Sequence, residues 1–262
     1  MASERASQQA FFGVSALLFA ASAAVTVVWC GSMSAMGGMP MPGGWTVAMA
    51  WMPMPGQSWP AAAASFLGMW VVMTAAMMMP SLIPMLSRYR RGVGTTGGTR
   101  LGRLTALVGA GYFCVWIALA IPAFPLSVAL AAIEMRPPMT RTVPMAIGVV
   151  VLLAGILQLT AWKARHLACC REAPRRGGVL PANAGTAWRH GLRLGRHCSY
   201  CCAGAMAVLL VVGVMDLRAM ALVTAAITVE RLAPAGEYVA RVLGAVVAGA
   251  GLFLIAGASG LG

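Results

Sequence analysis

Long apolar runs separated by short polar breaks dominate the chain. The first, Phe11 to Trp29, is close to the ~20 residues an α-helix needs to cross a bilayer. Small residues at Ala20 to Ala24 lend it some character of a secretory signal. Its length, the pairing of Glu4 with Arg5 ahead of it and the runs that follow read instead as a membrane helix. From Cys30 to Pro60 the chain is irregular and rich in Gly and Pro, and it carries Met33, Met36, Met39, Met41, Met49, Met52 and Met54. The second run, Ala61 to Leu86, is broken by Pro80 and Pro84 and ends at Arg88, Arg90 and Arg91. Leu104 to Ala132 is the third, kinked at Pro122 and Pro125. Glu134 to Arg141 then links to the fourth, Val143 to Trp162. The longest polar stretch, residues 163–197, reads as a basic loop, and Cys198 to Val214, the short Ala219 to Val229 and Tyr238 to Ala258 follow it.

This pattern predicts an all-α, polytopic transmembrane helical bundle, a single integral membrane domain over residues 1–262. Seven helices are preferred, with six as the alternative if Ala219 to Val229 does not cross. Placing Arg88 to Arg103 and the 163–197 loop in the cytoplasm satisfies the positive-inside rule. The N-terminus is then cytoplasmic and the Met-rich segment 30–60 extracytoplasmic. Seven crossings also bring Arg231 and Arg241 to the cytoplasmic side.

Composition supports the bilayer as solvent: 60% of the 262 residues are hydrophobic and 10% charged. The net charge of +13 could suggest nucleic acid, but 18 of the 19 basic residues are Arg and most sit in the two connecting segments. They read as topology signals facing lipid headgroups, with no nucleic-acid partner. The seven cysteines are an odd count and do not form a disulfide framework. No P-loop, nucleophile elbow or dinucleotide fingerprint is present, so catalysis has little positive support.

Candidate chemistry lies in three places. At about 100° per residue, Cys198, Cys201 and Cys202 share one helix face, with His197 beside them and Met206 one turn deeper. His166, Cys169 and Cys170 repeat the i, i+3, i+4 spacing at the end of the fourth run, so one loop separates two clusters on the same side. Soft thiolates at these spacings favour Cu(I), with zinc or iron as alternatives; the competing reading is plain packing. In the second run, Met69, Met73 and Met77 form a thioether stripe beside Met78 and Pro80. It serves either as flexible core filler or as a Cu(I) path. Asp216 and Glu230 stand inside or beside apolar runs. Each is a candidate for ion or proton handling. The competing roles are a helix N-cap for Asp216 and pairing with Arg231 or Arg241 for Glu230.

Three stretches also carry a family resemblance: Ala76 to Ser81, Gln158-Leu159-Thr160-x-x-Lys163 with His166 and Cys170, and Cys198-x-x-Cys201-Cys202 with Gly213-Val214-Met215 and Glu230. Together they resemble the bacterial domain-of-unknown-function family of predicted metal-binding integral membrane proteins, from about Trp70 to the C-terminus. The resemblance implies metal binding in a bacterial cytoplasmic (inner) membrane. His166 stands where that family has a cysteine, and Tyr200 where it has a glycine, which puts a bulky ring beside the thiols.

The preferred function is a membrane-embedded soft-metal protein, copper first, acting in metal delivery or transport. Met33 to Met54 would capture, Met73 and Met77 would relay, and the Cys/His clusters would hold. A membrane metalloenzyme or metal chaperone is the expected protein partner. A thiol redox or cofactor-assembly protein and a scaffold subunit are the alternatives.

Overall fold

The computed structural model describes residues 2–35, 39–40, 46–47, 58–93, 97–134, 142–172, 181–214 and 216–259. Among them are eight helices: α1 (Ala2–Ala35), α2 (Trp59–Gly92), α3 (Gly98–Glu134), α4 (Thr142–Leu159), α5 (Ala161–Glu172), α6 (Ala184–Val212), α7 (Leu217–Leu232) and α8 (Gly236–Ser259). A two-residue antiparallel ladder, β1 (Met39–Pro40) against β2 (Thr46–Val47), lies between α1 and α2. The chain is thus an all-α polytopic bundle. Of the Met-rich segment, Met33 falls within α1 and Met39 in β1, while Met36, Met41, Met49, Met52 and Met54 lie outside the described residues.

Five helices are long and apolar enough to cross a bilayer: α1, α2, α3, α6 and α8. α4 and α5, bent by 66° at their junction, make up to six if they act as one span. α7 is the crossing that a count of seven requires. It has 16 residues, about 24 Å against a hydrocarbon core of roughly 30 Å. Length and composition therefore support five or six among the described residues, not the preferred seven.

Two further expectations change. α2 is not broken at Pro80 and Pro84 but runs through both to Gly92. The stretch 163–197 is not a single loop, because α5 and the first half of α6 occupy most of it. The reason is an amphipathic pattern: Ala187, Gly191, Leu194, Gly195 and Cys198 are buried along one face, while Arg189, Arg193 and Arg196 lie exposed. The bend between α4 and α5 is made by Thr160, whose hydroxyl donates to the Leu157 carbonyl (2.7 Å) and accepts from the Lys163 amide (3.3 Å). The second bond caps the new helix.

Large apolar side chains face outward, among them Leu17 (72% exposed), Ile121 (68%) and Phe253 (78%). Lys163, Glu230 and Arg231 are buried at 2% each. In water such an exterior would aggregate; in lipid it is the solvent-facing surface. Ionisable groups inside a membrane bundle mark function.

Small residues set the two closest helix contacts. A Cβ at Gly155 of α4 would run into the backbone of Ala248, and one at Gly251 of α8 into the backbone of Leu152. Gly249, on another face of α8, has nothing within 4 Å of an added Cβ. Gly155→Val is therefore expected to lower the stability of the detergent-purified protein by about 2 kcal/mol or more, and Gly249→Ala to leave it unchanged. The midpoint of thermal unfolding followed by size exclusion reads both, and equal midpoints would contradict the packing described. Between α3 and α6, Gly111 and Gly191 meet backbone to backbone and Gly195 sits on the Tyr112 carbonyl. This approach brings Tyr112 to Cys198.

One end of the bundle gathers the arginines. Arg90 Nη2 donates to Ser7 Oγ at 2.8 Å, and Arg100 Nη2 to the Ala182 carbonyl at 2.6 Å. The starts of α1, α3 and α6 and the end of α2 therefore share that end.

Candidate functional site

The chemistry converges where α2, α3, α5, α6 and α7 meet. Cys198, Cys201 and Cys202 are all buried (0%, 2% and 1% exposed), as their shared helix face requires. Cys170 of α5 is buried beside Cys201, Cys201 neighbours Cys202, and Cys202 neighbours Cys198, so four thiols run in sequence across α5 and α6.

α7 supplies the charged half of the site. It begins where Asp216, exposed, accepts from the Arg218 and Ala219 amides at 2.7 and 3.1 Å. Asp216 is thus an N-cap, the local role weighed above. Its last turn packs back on the middle of α6, carrying Glu230 and Arg231. Adjacent on the helix, these two point to different neighbours. Glu230 Oε2 accepts from Lys163 Nζ at 2.8 Å and Oε1 from Gln158 Nε2 at 2.7 Å. Lys163 Nζ also donates to the Cys201 carbonyl at 2.6 Å. Glu230 is therefore paired with Lys163, neither with Arg231 nor with Arg241.

Arg231 reaches the thiols. Its Nη2 donates to Cys198 Sγ at 2.8 Å and to Cys202 Sγ at 3.1 Å, and its Nη1 to Ser81 Oγ at 3.0 Å. Tyr112 Oη lies 2.9 Å from Cys198 Sγ, and Met78 Sδ 3.9 Å from it on the α2 side. A guanidinium is always charged and has donors alone. Among the described residues, its hydrogen-bond partners are two sulfurs and one hydroxyl, with no carboxylate among them. Arg231 also contributes to the lining of an open cleft of about 540 Å³, with Arg88, Ala168, Pro234, Glu237 and Arg241.

The other candidates fall into separate places. His166 and His197 meet, Nδ1 to Nδ1 at 3.3 Å, but in a ring cluster with Trp162 and Tyr200. Tyr200, half-exposed, packs there and leaves the thiol face of α6 clear. Cys169 is exposed on the other side of α5. Met206, Met73 and Met77 are buried. Among the described residues, no group of three or more His, Cys, Asp or Glu side chains is arranged to hold a metal ion. Arg231, Tyr112 and Ser81 were not among the candidates read from the sequence. Arg231 carried a signal all the same, since an arginine directly after a glutamate at the end of an apolar run is a site by default. Ser81 stood at the end of the first resemblance stretch, and Tyr112 carried no signal.

Residues 67–254 match the family described as PpoB2, copper chaperone. The chain belongs to this copper-chaperone family. No curated protein and no solved structure matches it. The PpoB2 match begins within α2 and ends within α8, and so takes in each residue of the thiol and guanidinium cluster. The resemblance to metal-binding integral membrane proteins thus holds at the level of a membrane-embedded copper-chaperone family.

Proposed function

We propose that the chain carries copper(I) as cargo, held by Cys198 and Cys202 against Arg231, and delivers it within or across the membrane. The observation that carries this reading is the buried guanidinium donating to two thiols. Bound as thiolates, two sulfurs bring two negative charges; Arg231 and one Cu(I) bring two positive ones. A divalent ion at the same pair would leave a buried net charge, which low dielectric penalises. Zinc also asks for about four ligands in a structural site. Two thiolates with the Met78 thioether beside them are a soft donor set suited to Cu(I). Cys201 and Cys170 extend that set toward α5, and Lys163 with Glu230 holds α5 and α7 in place around it.

The arginine-rich end faces the cytoplasm of a bacterial inner membrane in this reading, with the N-terminus on the same side, as the positive-inside rule favours. The cleft at Arg231 is then the mouth through which a metal chaperone or membrane metalloenzyme exchanges copper. Its Arg88 and Arg241 suit an anionic partner. The ring pair His166 and His197 lies off this path, and the exposed Cys169 serves as a control.

Elemental analysis of the purified protein after Cu(I) loading without oxygen tests the reading. Copper is expected in the wild type and in Cys169→Ser, and the Cys198→Ser/Cys202→Ser variant should lose it from this centre. Undiminished copper in the double variant would sink the proposal. Thiols that cycle between reduced and bridged forms with no metal bound would move it to redox chemistry, for which the four neighbouring cysteines are the material.

A further inference from the structure

A second cluster of sulfur lies away from the thiol centre. Between α1, α2 and α7 lies a small, partly open cavity of about 10 Å³ lined by Cys30, Met69, Met73 and Met220. That is the space of a single ion or water centre. All four sulfur-bearing residues are buried, at 4%, 7%, 2% and 5% exposure. The remaining lining is Thr26, Trp29, Val72 and Val214, and the Thr26 hydroxyl is already engaged by the Ser22 carbonyl at 2.8 Å. An apolar cavity of this kind excludes water. Its one side-chain oxygen, on Thr26, falls far short of the oxygen shell a hard cation takes, whereas thioethers and a thiol from three helices are donors for a soft monovalent one.

A run of buried methionines on α2 leads from the cavity toward the thiol centre. Met69, Met73 and Met77 follow one another at four-residue steps on one face of α2, one turn of about 5.4 Å each. Met78 follows Met77, and its sulfur lies 3.9 Å from Cys198 Sγ. Buried sulfur thus lines α2 from the cavity to the guanidinium. We infer that Cys30, Met69, Met73 and Met220 form a second binding site for a soft monovalent metal ion, an outer station from which the ion passes along α2. As a binding site it stands alone; as a station for copper it rests on the function proposed above. The ion keeps its oxidation state and exchanges one sulfur donor for the next. Cys30 binds as the thiolate, and its proton is released to bulk water as the ion enters.

The test is the number of Ag(I) ions, a redox-silent probe for Cu(I), bound per full-length chain in detergent without oxygen. A chromophoric Cu(I) chelator used in competition gives the affinities. The wild type should bind two ions, and Cys198→Ser/Cys202→Ser one. Met73→Leu/Met220→Leu, a volume-conserving change that preserves packing, should also bind one, as should Cys30→Ala. Each single Met→Leu variant should weaken the outer site at least ten-fold. X-ray absorption of silver in the Cys198→Ser/Cys202→Ser variant should show a sulfur-only shell that Met73→Leu/Met220→Leu removes. One ion in the wild type and none in Cys198→Ser/Cys202→Ser would overturn the outer site and leave the thiol centre standing. One ion in the wild type, kept in that variant and lost in Cys30→Ala, would do the reverse.

Discussion

Arg231→Met is expected to weaken copper binding by about two to three and a half orders of magnitude. The guanidinium is buried and donates to both sulfurs and to Ser81. Replacing it leaves a dithiolate complex with uncompensated charge in a low-dielectric site. Removing one partner of a buried ionic arrangement costs about 3–5 kcal/mol, and each ~1.4 kcal/mol is a factor of ten in Kd. Arg231→Lys restores charge but not the fork that reaches two sulfurs and a hydroxyl at once, so it should recover about one order of magnitude. Chelator competition on wild type and the two variants measures this ranking. If Arg231→Met binds copper as tightly as the wild type, charge compensation is not what the arginine does.

The second large effect concerns stability. Lys163 and Glu230 form an ion pair at 2.8 Å with side chains 3% and 2% exposed. Lys163→Met strands the Glu230 carboxylate with Gln158 alone, and Glu230→Leu strands the ammonium with the Cys201 carbonyl. Each single change should destabilise the protein by about 3–5 kcal/mol, whereas the double change Lys163→Met/Glu230→Leu should recover most of that loss. Thermal unfolding in detergent compares the four proteins. A double variant as unstable as the sum of the singles would mean that the two residues act separately.

The membrane fold was legible because hydrophobic runs of spanning length have no other stable solvent. The shared face of Cys198, Cys201 and Cys202 was legible for the same kind of reason, since helical periodicity depends on spacing alone. Two things local sequence could not supply. Residues 163–197 read as a loop because their arginines outweigh a buried face made largely of Ala and Gly, residues with little hydropathy that count mainly through close packing. Two polar partners of the thiols come from α3 and α7, and nothing near Tyr112 or Arg231 in the chain announces where the backbone will bring them. His166 and Cys169 had ligand-like spacing, yet on α5 their directions diverge: one joins a ring cluster and the other faces outward.

α7 ends in adjacent carboxylate and guanidinium groups on a helix of 16 residues. Alone, such a segment is a poor candidate for membrane insertion: it is short, and its polar end carries charges that hydrocarbon rejects. It becomes acceptable once Lys163 and the α6 thiols, which leave the ribosome before it, offer partners. Biogenesis of this protein should therefore run in order. α7 and α8 should enter the bilayer after α5 and α6 have done so, and the quality-control machinery of the cell would meet any chain lacking Lys163, Cys198 and Cys202 as one with a helix it cannot place.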